Sequence, residues 1–539
     1  MAIFKHFDFG IAETACQDLM TYRGSITLYL LLLAMSSFAQ DNRGSLPYSW
    51  NAPNSISFDI PFETVGPVDI GTLMKEDQDG KLDKTAPYRF AHTIDVNLGT
   101  SMSGRWVQLA MGNRLWVQGI DAIDAEGVGF VLDDIYLPTG SMLHIFDESR
   151  TDLLGEFTAE SNPESGRMVL PHILGDRVIL EYFEPATVRG EGRVLIGGIN
   201  YVYRDTDSIK RDSDPEHACH VNIQCPDVRD WSTVENSVVR ISTDHGTRWG
   251  TGVLVNTTDH KSKPYVITSA NNVIGPTPLM NFLFEFESSG CTSERIRPSK
   301  FIMGAKVKAH DVSTNLILLE LNESPDPSWG IFYAGWDRSG QKPASAGCIH
   351  HPAGDLKKCS ASGGNLMTNE NWQGANTWMV DRWELGSTER GSMGAPVFNE
   401  KGLAVGFLIG GYSECQSPKE DFVVKFRDAW GTFQDFLDPS GTGSQVFGGQ
   451  SPINRPTDER IIESEVAFFP NPANDMLKIY NENEEAVIGI RVFDMNQKLV
   501  GELPLSKSTI NVSHLPIGMY VIELQLESFS IKDRLVIFR

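Results

Sequence analysis

The sequence is short of positive charge. Across 539 residues, 46 lysines and arginines stand against 70 aspartates and glutamates, a formal net charge of −24. Binding to phosphate backbones or anionic lipid needs a basic surface, so nucleic acid is excluded as the expected partner. Long helical or heptad patterns are also missing, whereas glycine, proline and aromatic residues are plentiful, which predicts a mainly β protein. The only long apolar run is SITLYLLLLAMSSFAQ, Ser25 to Gln40. It is too short to cross a bilayer comfortably and ends in Ser37-Phe38-Ala39, the small-residue pattern of a signal-peptidase site. Residues 1–39 are therefore expected to be a signal region cleaved after Ala39, with Met20 a better start than Met1 and no transmembrane anchor.

Cysteine is sparse as well. Once Cys16 leaves with the signal region, Cys219, Cys225, Cys291, Cys348, Cys359 and Cys415 remain. An even number in an exported chain favours disulfides. None has C-x-x-C spacing, so no metal site and no cofactor is expected.

The length exceeds a single core and predicts several domains. Residues 46–204 alternate apolar and polar positions in pieces such as RWVQLAM, GVGFVLDDIYL and RVILEYFEP, the pattern of a β-sandwich. Within them KEDQDGKLDK reads as a solvated acidic turn, because Lys75 stands where a calcium loop needs its first carboxylate. Residues 205–218 read as a linker whose Lys210 and Arg211 invite nicking. A second β-rich domain spans 219–443, a second linker 444–465, and a final small β-sandwich 466–539.

The stretch RGSMGAPVF, from Arg390, has the outline of G-x-S-G-x-P, the turn that presents a nucleophilic serine, yet its third position is Met393. Together with ACHVNIQCP, GTGVLVN, YVITSANNV, LILLELNESP, AGWDRSGQ, IHHPAGDLKK, GGYSECQ and LDPSGTG, it makes residues 219–443 resemble the trypsin-like lysyl endopeptidase family of bacteria. The resemblance implies a chymotrypsin-like double β-barrel with its site between the barrels. It also assigns the positions of the catalytic triad, and all three are replaced: the base by Asn271, the orienting aspartate by Asn315, the nucleophile by Met393. A thioether has no proton to lose and an amide does not titrate near neutrality, so no catalytic residue is expected. The backbone N–H groups of Gly391 and Met393 are expected to persist as an oxyanion-hole remnant.

The resemblance further implies the bridges Cys219–Cys415 and Cys225–Cys291, leaving Cys348 and Cys359 to pair with each other. A third family bridge is absent at both ends, where Gly250 and Asn272 stand. Asp421 matches the aspartate that accepts a lysine side chain, implying a pocket for a basic ligand. Ser392, His310, His350 and His351 are expected to be structural or exposed rather than a substitute nucleophile and base.

Residues 46–204, including APYRFAHTI, are similar to the pro-region of the same peptidases. The last domain, with FFPNPANDML and INVSHLPIGMY, resembles the C-terminal sorting domain of the type IX secretion system. That implies the secretion machinery as a partner and a location outside a Gram-negative cell, secreted or at its surface. The expected function is a pseudopeptidase that binds a peptide or protein; the alternatives are an active endopeptidase with an unrecognised nucleophile and a structural surface component.

Overall fold

The computed structural model describes residues 46–539 except 52–58, 80–83, 213, 215–216, 295, 297–299, 364–365, 453–465, 470–475, 482–486, 495–497, 504, 507–508, 517, 527–529 and 538–539. The expected signal region and its cleavage site lie outside the described residues. The chain divides into two compact units, Met1–Asn454 and Arg455–Arg539.

The first unit opens with a six-stranded sheet centred on Arg114–Ala122 and Arg177–Glu184, and a four-stranded sheet of Ala91–Gly99, Arg193–Val202, Gly127–Tyr136 and Met168–Leu174. Trp116, Ile120 and Leu180 from one sheet and Phe130, Leu132 and Ile199 from the other share a core, as period-two alternation requires. Two larger, barrel-like sheets follow. The eight-stranded sheet runs from Phe301–Met303 through Val238–Thr243, Arg248–Leu254 and Tyr265–Ser269 to Ala305–Asp311, around Val239, Leu254, Phe282 and Leu319. The ten-stranded sheet includes Ala346–His350, Pro396–Asn399, Ala404–Gly411 and Asp421–Lys425, around Trp378, Val397, Leu408 and Val423. A third core, with Trp336, Phe407 and Phe433, includes the buried face of helix Phe426–Leu437, whose Phe426, Ala429, Trp430, Phe433 and Leu437 recur at helical spacing.

Both segments read as linkers are packed where they are described. Ser208–Asp212 is a helical turn whose Arg211 is buried, donating to Asp205 O and to Ala353 O. Past Gly443, Val446–Phe447 pairs with Trp336–Asp337, and Gln450 bonds to Tyr333, so the chain stays on the ten-stranded sheet. The second unit has two four-stranded sheets around Leu477, Ile490, Val492, Ile510, Ile522 and Leu524.

Among the described residues two disulfides are present, Cys219–Cys415 and Cys225–Cys291. The expected Cys348–Cys359 bridge is not. Strand register explains the correction: Cys348 lies opposite Ser360, and Cys359 opposite Ile349. An offset of one residue sends the two sulfurs to opposite faces of the sheet, into different cores. Burial pushes the Cys348 thiol well above its ordinary pKa and makes it a poor nucleophile. Alkylation of the unreduced exported protein is expected to label neither cysteine when folded and both after denaturation; peptide mapping that finds them linked would restore the bridge.

Candidate functional site

The residues singled out in YVITSANNV, the segment at Asn315 and RGSMGAPVF come together where the two larger sheets adjoin. Asn315, with φ of 56°, donates through Nδ2 to Ser269 Oγ at 3.2 Å, and the same hydroxyl accepts from Asn271 N at 3.3 Å. Asn271 is exposed. Met393 is fully buried, and its carbonyl accepts from Thr251 N at 3.2 Å and Asn272 Nδ2 at 2.7 Å. Gly391 sits beside it with φ of 96°, in a space where a Cβ would lie 2.9 Å from Ala353 N.

The corner that lacks a bridge is filled by an amide. A Cβ on Gly250 would lie 2.4 Å from Cγ of Asn272, so the two positions are still in contact. Asn272 Nδ2 reaches Thr268 Oγ1 at 2.9 Å as well as the Met393 carbonyl. Asn272 Nδ2 also donates to Thr251 O at 3.3 Å, a hydrogen bond to the segment that holds Gly250.

Asp421 is fully buried at the start of its strand, beside Gly411, where a Cβ would come within 2.2 Å of its carboxylate. Trp383 Nε1, Thr388 Oγ1 and Ser413 Oγ each donate to its Oδ2 at 2.6 Å. The other oxygen accepts from Lys84 Nζ at 2.9 Å. Lys84 Nζ also donates to Ser413 Oγ at 2.8 Å, Thr388 Oγ1 at 3.0 Å and Thr388 O at 3.1 Å. Both hydroxyls thus give their proton to Asp421 and take one from Lys84, which links anion and cation directly and through two bridges.

Lys84 belongs to KEDQDGKLDK, and the reading of that stretch as a solvated turn needs correction. Its Asp77 lies in the last turn of the Ile70–Asp79 helix and is buried, bonded by Arg89 Nε at 2.7 Å, Tyr203 Oη at 2.6 Å and Arg204 Nη2 at 2.7 Å. Burial alone would raise its pKa; the Tyr203 and Arg204 hydrogen bonds and the nearby arginine charges outweigh that and hold it below the usual carboxylate range. The chain after Lys84 then follows the crevice. Thr85 O accepts from Asn271 Nδ2 at 2.8 Å, Tyr88–Arg89 pairs antiparallel with Arg248–Trp249, and Phe90 stacks on Trp249 at 3.5 Å. Arg390, the first residue of RGSMGAPVF, donates to Asp77 O at 2.8 Å.

Sequence reasoning missed Lys84. The signal was there to be used: a lysine two residues before APYRFAHTI, in a chain whose pocket is implied to accept lysine. It also missed a hydroxyl–imidazole pair. Ser392 Oγ lies 2.7 Å from His350 Nδ1, and His350 Nε2 lies 3.0 Å from Ser360 Oγ, which donates onward to Ser387 O. Ser360 therefore accepts from Nε2–H, leaving Nδ1 to accept the Ser392 proton. Ser392 and His350 are both fully buried, and burial holds His350 well below its ordinary pKa. His351 is buried too, and His310 is exposed.

Residues 214–424 match the family described as lysyl endopeptidase, C-terminal domain, and residues 467–538 match the secretion system C-terminal sorting domain. Solved structures similar to part of the chain include the Rv3671c protease from M. tuberculosis H37Rv in an inactive mutant form, at 16% identity over 40% of this chain and 92% of that one, with a TM-score of 0.28. The HtrA-type protease AlgW with a tripeptide is 11% identical over 57% of this chain and 95% of that one, also at 0.28. Among the described residues no helix is long and apolar enough to cross a membrane. The chain is a protease-like protein that carries a type IX sorting tail, which marks it for export to the cell surface or secretion through that machinery.

Proposed function

We propose that the protein is a pseudopeptidase whose crevice binds lysine-bearing peptide segments without cutting them, and that its own Lys84 segment is the resident ligand. The observation that carries this reading is Lys84 Nζ at 2.9 Å from Asp421, with the following peptide laid past Asn271. Asn271, Asn315 and Met393 support the absence of cleavage, because none of them supplies a nucleophile or a base. In the serine peptidase template, loss of the triad lowers turnover on the order of 10⁶-fold. This reading expects the Lys84–Thr85 peptide bond to stay uncut in the exported protein.

A second reading rests on the Ser392–His350 distance, which lies within reach for an activated hydroxyl. Its weakness is access, since neither side chain meets solvent. One experiment addresses both readings. Wild type and Lys84→Ala are treated with a fluorophosphonate and, separately, titrated with a short lysine peptide. The pseudopeptidase reading expects no labelling of either form and peptide binding at least tenfold tighter in Lys84→Ala. Stoichiometric labelling at Ser392 would establish the second reading instead, and equal weak binding in both forms would remove the pocket as a ligand site.

A further inference from the structure

His217, His220 and Glu389 converge at one point, outside the basic pocket. His217 Nδ1 lies 3.1 Å and His220 Nε2 3.4 Å from the same oxygen, Glu389 Oε1. The three ligand atoms all lie within 4.8 Å of one another. Zinc bonds to imidazole nitrogen and carboxylate oxygen are about 2.0–2.1 Å, so neighbouring ligand atoms of a tetrahedral ion stand about 3.3 Å apart. The two nitrogen–oxygen distances straddle that value.

A second observation points the same way. The His220 side chain is only 3% exposed, and neither of its ring nitrogens makes a hydrogen bond among the described residues. Among those residues Nδ1 has no partner and Nε2 faces only the Glu389 oxygen at 3.4 Å, too ill-directed for a hydrogen bond, so the buried ring is poorly recompensed for its lost hydration. A metal at the convergence point supplies the missing partner. His217 and Glu389 keep 20% and 23% of their side chains exposed, which leaves a path for the ion and an open fourth position for water. The nearby sulfurs of Cys219 and Cys415 are joined in a disulfide and carry no thiolate.

We infer that His217, His220 and Glu389 form a site for a single zinc ion. The site bridges two parts of the fold. His217 and His220 flank Cys219 where the chain enters the ten-stranded sheet, and Glu389 lies two residues before Gly391 and four before Met393. Zinc there fastens the loop that shapes the crevice to the segment that the Cys219–Cys415 bridge already anchors. The expectation from cysteine spacing overlooked it because no thiolate takes part.

The test uses untagged exported protein, stripped with a chelator and dialysed. Isothermal titration with zinc chloride is expected to give one site per chain, weakened at least tenfold by His217→Ala and by Glu389→Gln. Cobalt in place of zinc is expected to give the intense visible bands of a tetrahedral nitrogen and oxygen site in wild type, which keeps the test independent of how the variants fold. Absence of a stoichiometric zinc site in wild type would overturn the inference, as would octahedral cobalt spectra or affinity unchanged in both variants.

Discussion

Lys84→Ala is expected to destabilise the first unit by about 3–5 kcal/mol, because it strands a buried carboxylate. Asp421 is fully buried in the wild-type fold and keeps only neutral donors once the ammonium is gone. Asp421→Leu is expected to cost a similar amount by stranding Lys84. The double variant is expected to be more stable than either single one, since removing both charges removes the desolvation penalty with the attraction. Thermal midpoints at one scan rate give the ranking without assuming two-state unfolding of a chain this long. n-Butylammonium is expected to raise the midpoint of Lys84→Ala and to leave the double variant unchanged, because it returns the cation to a pocket that still has its anion. A Lys84→Ala midpoint equal to wild type, or no rescue, would mean that the pair holds nothing in place.

The second large effect is acid lability beginning near pH 6.5. Burial holds the His172 pKa at about 3, helped by the charges of Arg240 and Arg211. Its ring lies beside the stacked Phe90 and Trp249 pair, 5.4 and 5.6 Å from their centroids, and Nε2 is 3.1 Å from Thr206 Oγ1. His350 and His351 are also held well below their ordinary value by burial. The folded-state pKa is the lower one in each case, so as pH falls below about 6.5 the unfolded chain takes up protons that the folded chain refuses, for His172 down to about pH 3. Stability from these residues is whole above about pH 6.5 and declines as pH falls; for His172 the slope approaches about 1.4 kcal/mol per unit below about pH 6. Asp77 and Asp311, both held below the usual range, add to the loss below about pH 4. In metal-free protein His217, raised because Glu389 outweighs its burial, works the other way: its contribution is present at low pH and lost as pH rises through its folded value. His172→Gln is expected to remove about 1.4 kcal/mol per unit of the acid slope. An unchanged slope would assign the lability to other groups.

Much of the β architecture was legible from local pattern. Strands such as Arg114–Ala122 and Arg193–Val202 carry their alternation and turn residues within a few positions, and alternation is a short-range property. The crevice was legible through three separate motifs. What stayed hidden depends on residues far apart in the chain. Lys84 finds Asp421 across 337 positions, and Asp77 is buried only because Arg89, Tyr203 and Arg204 converge on it. Acidic composition around Asp77 predicted solvent because composition carries no information about those partners. The even number of cysteines suggested a third bridge, whereas the decisive fact was a one-residue register between two adjacent strands. The His217, His220 and Glu389 cluster joins positions 172 apart, a separation at which no spacing rule applies.

Tyr88–Arg89, though it precedes the linker at 205–218, is hydrogen-bonded into the eight-stranded sheet as one of its strands. The unit that resembles a removable pro-region and the unit that packs as the barrel therefore overlap. A protease that severs the chain near Lys210 is expected to yield two polypeptides by mass but one particle by sedimentation, because the donated strand and Lys84 hold the pieces together. Cutting the chain and releasing the cut segment would then be separate events, and the first is expected to leave Lys84 on Asp421.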